Sequence, residues 1–300
     1  MNSLKAIAAG LAAAVSAGAG AEAATVGFAL GSGGNTLLRF DLANPAGATA
    51  ASLSVRLDAI DFRPATGQLF GYSSSADAYY TVDIATGIVT AVPVGAGQTV
   101  ATTNGPNVDL DWNPTIDRMR AVGSSDENIV FNPNTGGAAA QVPLFYQAGD
   151  PNAGVNPLVA GNAYSNNFAG AASTQQYVLD YGLDIIATLG NNAGTLGTLG
   201  ALTLNGAAFD FNSDMGFDIA SDTGVDVFYA LLSQGGLTAL FTINVATREL
   251  TQIGAFESNL GQIRGLAVAS IVPLPAGLLL FLTGGAGLGL VRRMRRRTGM

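Results

Sequence analysis

The feature that most constrains this 300-residue sequence is a strand pattern that returns about every fifty residues. A small apolar strand ends in an acidic or polar residue, a polar turn follows, and an aromatic or aliphatic strand begins. The equivalent end positions lie 50, 53, 54 and 50 residues apart, and they are Asp61, Asp111, Tyr164, Asp218 and Val268. A repeat of ~40–50 residues is typical of four-stranded propeller blades. The period therefore predicts an all-β, propeller-like ring.

A second pattern alternates with the first and predicts the outer half of each blade. In this pattern an apolar strand ends in Asp or Asn, a Thr-Gly-like turn follows, and a further strand begins. The alternating apolar residues have the two-residue period of a strand, and the Asp/Asn-x-x-Thr-Gly segment has turn chemistry. Copies cover 79–95, 128–142 and 240–254, with looser copies at 37–53 and 176–190. We expect the two patterns to form strands A–B and C–D of each blade.

Both ends of the repeat region contribute to one blade. Residues 262–270 have the pattern of a first strand alone, while 25–30 and 37–53 contain the remaining strands. Combining them closes the ring and protects edges that an open sheet would expose. We count five four-stranded blades. The alternatives are six or seven blades, with irregular ones in 96–106 and 143–160, or a two-sheet sandwich or β-solenoid. No long segment of helical period precedes the C-terminal region.

Two neighbouring segments carry a more specific resemblance. They read DFRPATGQLFGYSSSADAYYTVDIATG (61–87) and VDLDWNPTIDRMRAVGSSDENIVFNPNTG (108–136), and AYSNN (163–167) and GFDI (216–219) are weaker landmarks. These strings resemble the uncharacterised bacterial domain family numbered 4394. The resemblance covers most of residues 25–269. It implies a propeller-like fold and carries no assigned activity.

The two ends of the sequence predict export and membrane attachment. Residues 1–23 combine an early positive charge, a stretch of small apolar residues and an A-x-A site at Ala21 and Ala23, as in a signal peptide cleaved after Ala23. Residues 272–291 form an uncharged run close to the ~20 residues that a transmembrane helix needs. A buried core helix would rarely end in a block of arginines. This block predicts a cytoplasmic end, and it contains Arg292, Arg293, Arg295, Arg296 and Arg297.

The C-terminal segment also resembles a sorting signal. A Pro motif, an apolar span and a basic end follow one another, as in the VPLPA-CTERM variant of the PEP-CTERM class. The motif residues are Val272, Pro273, Leu274, Pro275 and Ala276. The resemblance implies cleavage near this motif by an exosortase-type membrane peptidase, in a Gram-negative bacterium that makes extracellular polysaccharide. The predicted segments are a signal peptide at 1–23, a propeller-like ectodomain at 24–271 and a sorting signal with a transmembrane helix at 272–300.

The composition of the ectodomain limits the partners it can bind and the kinds of catalytic and metal site it can form. Residues 24–271 contain 7 arginines and 20 acidic residues, a net charge of 7 − 20 = −13 against −8 for the whole chain. This balance argues against nucleic acid and anionic surfaces and is compatible with divalent cations. The ectodomain has no Cys, His or Lys. Disulfides, thiolate or imidazole metal sites, Ser-His-Asp triads and Schiff-base lysines are therefore excluded.

The end positions of the predicted inner strands are the main candidate site. Asp61, Asp111, Tyr164 and Asp218 would lie at the same end of successive strands that line the central channel. Their oxygen atoms are of the type that Ca²⁺ prefers. The alternative, which we favour, is that each Asp accepts backbone N–H groups of the following turn.

The segment with Asp210, Asn212 and Asp214 has the D-x-N-x-D opening of an EF-hand loop. It departs from that loop because Met215 stands where the loop requires Gly, and no Glu follows at the twelfth position. We therefore expect a turn rich in Asx caps.

A charged strand and a glycine-rich turn also have two interpretations each. Asp117, Arg118 and Arg120 could bind a carboxylate, with both arginines on one strand face, but we expect an ion-pair network between blades. Residues 31–34 are Gly-rich and precede a strand, which is not the context of a phosphate-binding loop.

These features predict an exported protein that is membrane-anchored or processed by an exosortase, and that ends at the cell surface or in the extracellular matrix. The expected role is a non-catalytic binding or structural module, with a polysaccharide or a surface protein as partner and no nucleic acid. Signal peptidase and the exosortase-type peptidase are the expected processing partners. No cofactor is expected, and Ca²⁺ is the one candidate. The alternatives are a Ca²⁺-dependent hydrolase or lyase that uses the channel carboxylates, and a cargo protein whose tail alone matters.

Overall fold

The structure is a computed structural model that describes residues 25–222 and 225–270. In this part of the chain, twenty-three strands form five separate sheets. Helical structure within these ranges is limited to the 3₁₀ turns Ser32–Gly34, Asn191–Ala193 and Ser258–Leu260. The predicted all-β propeller with five blades is confirmed, and the sandwich, the solenoid and the larger rings are not observed.

The predictions for the two ends of the sequence lie outside the described residues. These are the signal peptide with Ala21 and Ala23, the motif 272–276, the span 272–291 and the arginine cluster 292–297. Among the described residues, no helix has the length and apolar character needed to cross a membrane.

Each sheet is one blade, and its strands are numbered in chain order. Blade 1 contains β1 (Thr25–Gly31), β2 (Thr36–Asp41), β3 (Asn44–Ser52) and β23 (Arg264–Ser270). Blade 2 contains β4 (Ala59–Arg63), β5 (Gln68–Ser73), β6 (Ala78–Val82) and β7 (Val89–Ala91). Blade 3 contains β8 (Val108–Asn113), β9 (Arg118–Gly123), β10 (Asn128–Phe131) and β11 (Ala138–Ala140).

Blades 4 and 5 carry additional short strands. Blade 4 contains β12 (Phe145–Tyr146), β13 (Val159–Tyr164), β14 (Gln176–Asp180), β15 (Ile185–Leu189) and β16 (Thr195–Ala201). Blade 5 contains β17 (Thr203–Leu204), β18 (Ala207–Ala208), β19 (Gly216–Asp222), β20 (Val225–Gln234), β21 (Leu237–Asn244) and β22 (Glu249–Ala255). β12 pairs in parallel with β16 and β17 with β22, so these strands extend the outer edges of their sheets.

The ring is closed by the two ends of the described chain. β23 is the innermost strand of blade 1 and pairs with β1, with Thr25 opposite Ser270 and Val26 opposite Ala269. The inner strands β23, β4, β8, β13 and β19 pack side by side around the axis, and β23 contacts both β19 and β4. The predicted closure by both termini is confirmed.

Five apolar cores lie between neighbouring blades, one at each interface. Between blades 2 and 3, Phe70 and Trp112 meet edge to face with ring centroids 4.9 Å apart, and Tyr79 stacks on Phe131 at 4.2 Å. Each blade buries both faces against its neighbours. The inner strands are accordingly buried on both sides, and in β8 (VDLDWN) this includes the polar side chains that alternate with the apolar ones.

The Asp or Asn that begins each turn of the second pattern accepts the N–H two residues later through its Oδ1 atom. These residues are Asp41, Asp83, Asn132, Asp180 and Asn244. Four of the turns join strands C and D, as predicted. The copy at 176–190 instead joins β14 and β15, which are strands B and C of blade 4. Its turn residue, Asp180, lies only 16 positions after Tyr164, which leaves room for one strand between them. In blade 2, Asp83 lies 22 positions after Asp61, which leaves room for two strands.

Candidate functional site

The candidate site forms where the inner strands run in the same direction around the axis. Equivalent residues of these strands therefore lie in layers, and one layer contains Asp61, Asp111 and Asp218, which we call the carboxylate layer. Each of the three residues is only 1 % exposed. Carboxylate oxygens of the three lie within 4.8 Å of one another. The three aspartates thus lie close together at equivalent positions of their inner strands.

Tyr164 occupies the equivalent position of blade 4 but sends its side chain elsewhere. Its hydroxyl accepts a hydrogen bond from Arg120 Nε at 2.8 Å and donates to Asn191 Oδ1 at 2.9 Å. Burial raises the pKa of Tyr164 to about 12, although Arg120 opposes the shift. Tyr164 contributes only its backbone to the carboxylate layer.

Each carboxylate of the layer accepts a backbone N–H from the next blade. Trp112 N–H donates to Asp61 Oδ2 at 3.1 Å, Tyr164 N–H to Asp111 Oδ2 at 2.5 Å, and Val268 N–H to Asp218 Oδ2 at 2.6 Å. We expected these aspartates to bond the following turn instead. Asp61 and Asp111 also bond locally, since their Oδ1 atoms accept the N–H groups of Phe62 and Trp112. Inner strands pack edge to edge, so the Oδ2 atom of each carboxylate reaches an N–H group of the neighbouring strand.

A second buried carboxylate, Asp109, lies two residues before Asp111 on the same side of β8. Its Oδ2 atom accepts N–H groups of Asn162 in blade 4 at 3.1 Å and Phe217 in blade 5 at 3.2 Å. Its Oδ1 atom accepts Leu110 N–H at 3.0 Å. Asp109 thus connects three inner strands. Sequence reasoning missed this residue because no other blade has a carboxylate there, although the D-x-D spacing of Asp109 and Asp111 was a usable signal.

Burial dominates the electrostatics of these four aspartates. It raises the pKa of Asp61 well above its usual range, and repulsion from Asp111 and Asp218 adds to the shift. Burial and then Asp218 raise the pKa of Asp111 in the same way. Burial raises the pKa of Asp218 to about 6, and that of Asp109 well above normal despite its three N–H donors. Like charges this close and this dry do not all ionise together without a counter-charge.

No ion pair of the described residues supplies that counter-charge, since every one involves other carboxylates. The layer can therefore retain protons or accept a cation. Its three carboxylates would supply at most part of the six to eight oxygen ligands of Ca²⁺. A hydrolytic role would further need a route for substrate to groups that are 1 % exposed.

The predicted ion-pair network is confirmed for Asp117 but not for the two arginines beside it. Asp117 pairs with Arg63 of blade 2, whose Nε lies 2.8 Å from Asp117 Oδ1 and whose guanidinium stacks over Trp112 at 5.2 Å. Arg118 donates instead to the backbone oxygens of Ile116 and Asp117. Arg120 is buried and bonds only neutral groups, because its blade 4 neighbours are Tyr164 and Asn192.

The EF-hand-like segment forms a turn, as expected. Asn212 Oδ1 accepts Asp214 N–H at 2.8 Å, while the Asp214 carboxylate accepts Gln262 Nε2 and lies 3.5 Å from Arg264 Nη2. Asp210 is exposed. The Gly-rich segment forms the 3₁₀ turn between β1 and β2, in agreement with its interpretation as a turn before a strand.

Fold and site together define a five-bladed β-propeller whose inner strands are joined by buried carboxylates. The chain belongs to the family described as Domain of unknown function (DUF4394), whose family model matches residues 36–267. That match extends from β2 into β23 and so includes every blade. None of the curated proteins matches the chain.

Among solved structures, the chain is similar to one described as "Crystal structure of Nidogen/Laminin Complex". The two share 11 % sequence identity at a TM-score of 0.48, over 82 % of this chain and 98 % of that one. A likeness at this level carries no argument about function.

Proposed function

We propose that this protein is exported, held at a membrane by its C-terminal segment and processed there, and that its propeller is a non-catalytic binding or structural module of the cell surface or matrix. The observation that carries the non-catalytic part is the use of the channel carboxylates. Asp61, Asp111 and Asp218 are sealed from solvent and each accepts a backbone N–H from the next blade. This is the arrangement of groups that hold strands together.

A polysaccharide is the partner that the surface suits best. A cleft of about 330 Å³ lies beside β12 and is lined by Phe145, Tyr146, Val155, Pro157 and Asp126, among others. Phe145 is 44 % exposed, so its ring offers an open apolar surface, while a buried Asp126 carboxylate oxygen has no hydrogen-bond partner. Apolar walls with a few convergent polar groups are typical of ligand clefts.

Binding of purified exopolysaccharide to the full chain tests this partner. Phe145→Ala should weaken binding, whereas Leu199→Ala, which also removes an exposed apolar side chain of blade 4, should not. Equal binding by both variants and the native chain would show that the polysaccharide does not bind in this cleft.

Export and attachment are tested by fractionation of cells that express the full chain. We expect the protein in the membrane fraction, accessible to protease from outside the cytoplasm. Replacing the five arginines 292–297 with glutamine should release it or change its orientation. Recovery of both forms in the cytoplasm would contradict the proposal.

A Ca²⁺-dependent hydrolase or lyase is the second candidate, and the convergence of three carboxylates within 4.8 Å is the observation in its favour. Their burial counts against it. A titration of the full chain with CaCl₂, followed by melting temperature, separates the two. A saturable rise that is lost in Asp111→Asn, together with turnover of a glycan or lactone, would favour the enzyme. Binding of a glycan without turnover would favour the module.

A further inference from the structure

The cleft beside β12, which we call the β12 cleft, combines apolar walls with one acidic group. Its volume of about 330 Å³ lies at the lower end of the roughly 300–1,000 Å³ that is typical of small-molecule sites. Phe145 and Val155 are 44 % and 43 % exposed and form open apolar walls. Among the described residues that line the cleft, Asp126 is the one charged residue. The cleft therefore offers apolar surface beside a single carboxylate.

The walls of the β12 cleft are fixed by hydrogen bonds to blades 3 and 4. Leu144, directly before β12, donates its N–H to the backbone oxygen of Asp126 at 3.0 Å, which ties β12 to a turn of blade 3. In the loop after β12, the Asp150 carboxylate accepts the N–H and the hydroxyl of Thr198, both at 2.7 Å. A ligand would therefore meet preformed walls, and little binding free energy would be lost in ordering them.

Asp126 differs from the other acids of this region in its hydrogen bonding. Glu127 accepts two backbone N–H groups, at 2.6 and 2.9 Å. Both oxygens of Asp180 are bonded, and its Oδ2 atom accepts the Tyr146 hydroxyl at 2.6 Å. Asp126 Oδ1 is buried and accepts no hydrogen bond from the described residues, although the residue as a whole is partly exposed and lines the cleft. Buried polar atoms without a partner are uncommon, so this carboxylate is a place where a ligand can supply the missing donor.

The electrostatic surroundings of Asp126 favour a donor that is positively charged. Burial raises the pKa of Asp126, and repulsion from Glu127 and then from Asp180 adds to the shift. The ectodomain as a whole has 7 arginines against 20 acidic residues. A cationic group beside Asp126 would relieve this repulsion, whereas a uronate or a phosphate group would increase it.

We propose that the β12 cleft binds a polysaccharide with free amino groups, a deacetylated amino-sugar polymer, whose ammonium group pairs with Asp126 while its sugar rings lie against Phe145 and Val155. The inference rests on the proposed function, a polysaccharide-binding propeller, and adds the class of polysaccharide. An ammonium group forms a charge-assisted hydrogen bond with a carboxylate, which is stronger than a neutral one. The C–H face of a pyranose ring is apolar, so its burial against the exposed Phe145 ring adds a hydrophobic contribution.

Binding of short oligosaccharides to the full chain tests this inference. Isothermal titration calorimetry, in buffer with EDTA and at a pH where the amino groups are protonated, compares three hexamers of equal length. They consist of glucosamine, N-acetylglucosamine and galacturonate. The glucosamine hexamer should bind about tenfold more tightly than the acetylated one, because acetylation removes the charge that pairs with Asp126. The galacturonate hexamer should bind most weakly.

Two matched variants separate pairing with Asp126 from attraction to the net charge. Asp126→Asn should abolish the preference, so that the glucosamine hexamer binds only as tightly as the acetylated one, whose own affinity stays unchanged. Asp77→Asn is the control, because Asp77 lies in the corresponding turn of blade 2, and the two residues have φ values of 50° and 67°. It removes the same charge and should keep the full preference. Equal losses in the two variants would overturn the proposal.

The remaining outcomes distinguish a failure of this inference from a failure of the proposed function. Equal binding of the glucosamine and acetylated hexamers, lost in Phe145→Ala, would keep the cleft as a polysaccharide site and overturn only the amino-sugar assignment. Tighter binding of an oligolysine peptide that depends on Asp126 and Phe145 would assign the cleft to a basic protein segment instead. Binding of none of the three hexamers would overturn the inference, and failure of purified exopolysaccharide to bind as well would contradict the proposed function.

Discussion

The carboxylate layer and the outer turns use the same chemistry with opposite consequences. In both regions an Asp or Asn oxygen accepts backbone N–H groups. The outer turn at Asp83 is local and exposed, and its N–H donors lower the pKa of Asp83. The inner layer joins blades that are about fifty residues apart in sequence, and burial raises the pKa of Asp61, Asp111 and Asp218. Burial rather than residue type decides whether such a bond shapes one turn or the whole ring.

Substitution of Asp109, which accepts N–H groups from three inner strands, should cause the largest loss in the free energy of unfolding. Asp109→Ala leaves the N–H groups of Asn162, Phe217 and Leu110 without this acceptor. Buried orphan donors cost ~1–3 kcal/mol each, so we expect a loss of about 4 kcal/mol in the free energy of unfolding. Urea unfolding of the full chain measures it. A loss below that of any outer-turn variant would contradict the contrast between the two regions.

Substitution of Asp111 should cause a smaller loss in the free energy of unfolding, and its size should depend on the residue that replaces Asp111. Asp111→Ala orphans Tyr164 N–H, while Trp112 N–H keeps its bond to Asp61, so we expect a loss of about 2 kcal/mol. Asp111→Asn retains an acceptor and removes one of three like charges, and it should approach native stability at neutral pH. The same unfolding measurement compares them. Equal losses for the two variants would mean that packing volume, not hydrogen bonding and charge, sets the effect.

The Arg63–Asp117 pair joins blades 2 and 3 near the surface. It should contribute less to the free energy of unfolding than the buried carboxylates do. Arg63→Gln removes the ion pair but keeps a donor beside Asp117, and we expect a loss of about 1 kcal/mol that shrinks as salt is added. Thermal melts at low and high ionic strength provide the measurement. Arg248→Gln, whose guanidinium bonds only the Ala246 carbonyl, is a matched control. A salt-independent loss would indicate that stacking on Trp112 is the main contribution.

Substitution of an outer-turn residue should cause the smallest loss in the free energy of unfolding. Asn244→Ala removes bonds from Asn244 Oδ1 to the N–H groups of Ala246 and Thr247, both of which water can replace. We expect a loss of about 0.5 kcal/mol, measured by urea unfolding. A loss as large as that of Asp111→Ala would erase the distinction between local and inter-blade bonds.

The period of the sequence was sufficient to predict the ring, because each inner strand places its end residue at the same level of the axis. It predicted Asp61, Asp111 and Asp218 as neighbours for the same reason. It could not predict their bonding partners, since these are backbone N–H groups of the adjacent blade and carry no sequence signature. Asp109 was missed because it occurs in one blade only.

Blade 4 marks another limit of sequence reasoning. Its turn at Asp180 has the composition of an outer turn but joins an earlier pair of strands, so local chemistry identified the turn and not its place in the blade. Likewise, the partner of Asp117 lies 54 residues away, and only the packing of blades 2 and 3 shows that it is Arg63 rather than Arg118.

The pH dependence of stability tests the central claim most directly. A pKa raised by folding means that the folded state binds protons more tightly than the unfolded state, whose aspartates titrate near 3.8. The carboxylate layer therefore contributes stability that is complete below that value and is lost as pH rises, through about 6 for Asp218. The exposed Asp83 has the opposite sign, because its lowered pKa gives stability that is lost as pH falls.

We would measure the free energy of unfolding of the native chain and of Asp111→Asn from mildly acidic to neutral pH in metal-free buffer. The native chain should lose stability across this range, and Asp111→Asn should lose clearly less because one of the mutually repelling carboxyls is gone. Parallel curves would show that folding does not raise the pKa of Asp111, and would contradict the account of a buried, electrostatically coupled layer that joins the blades.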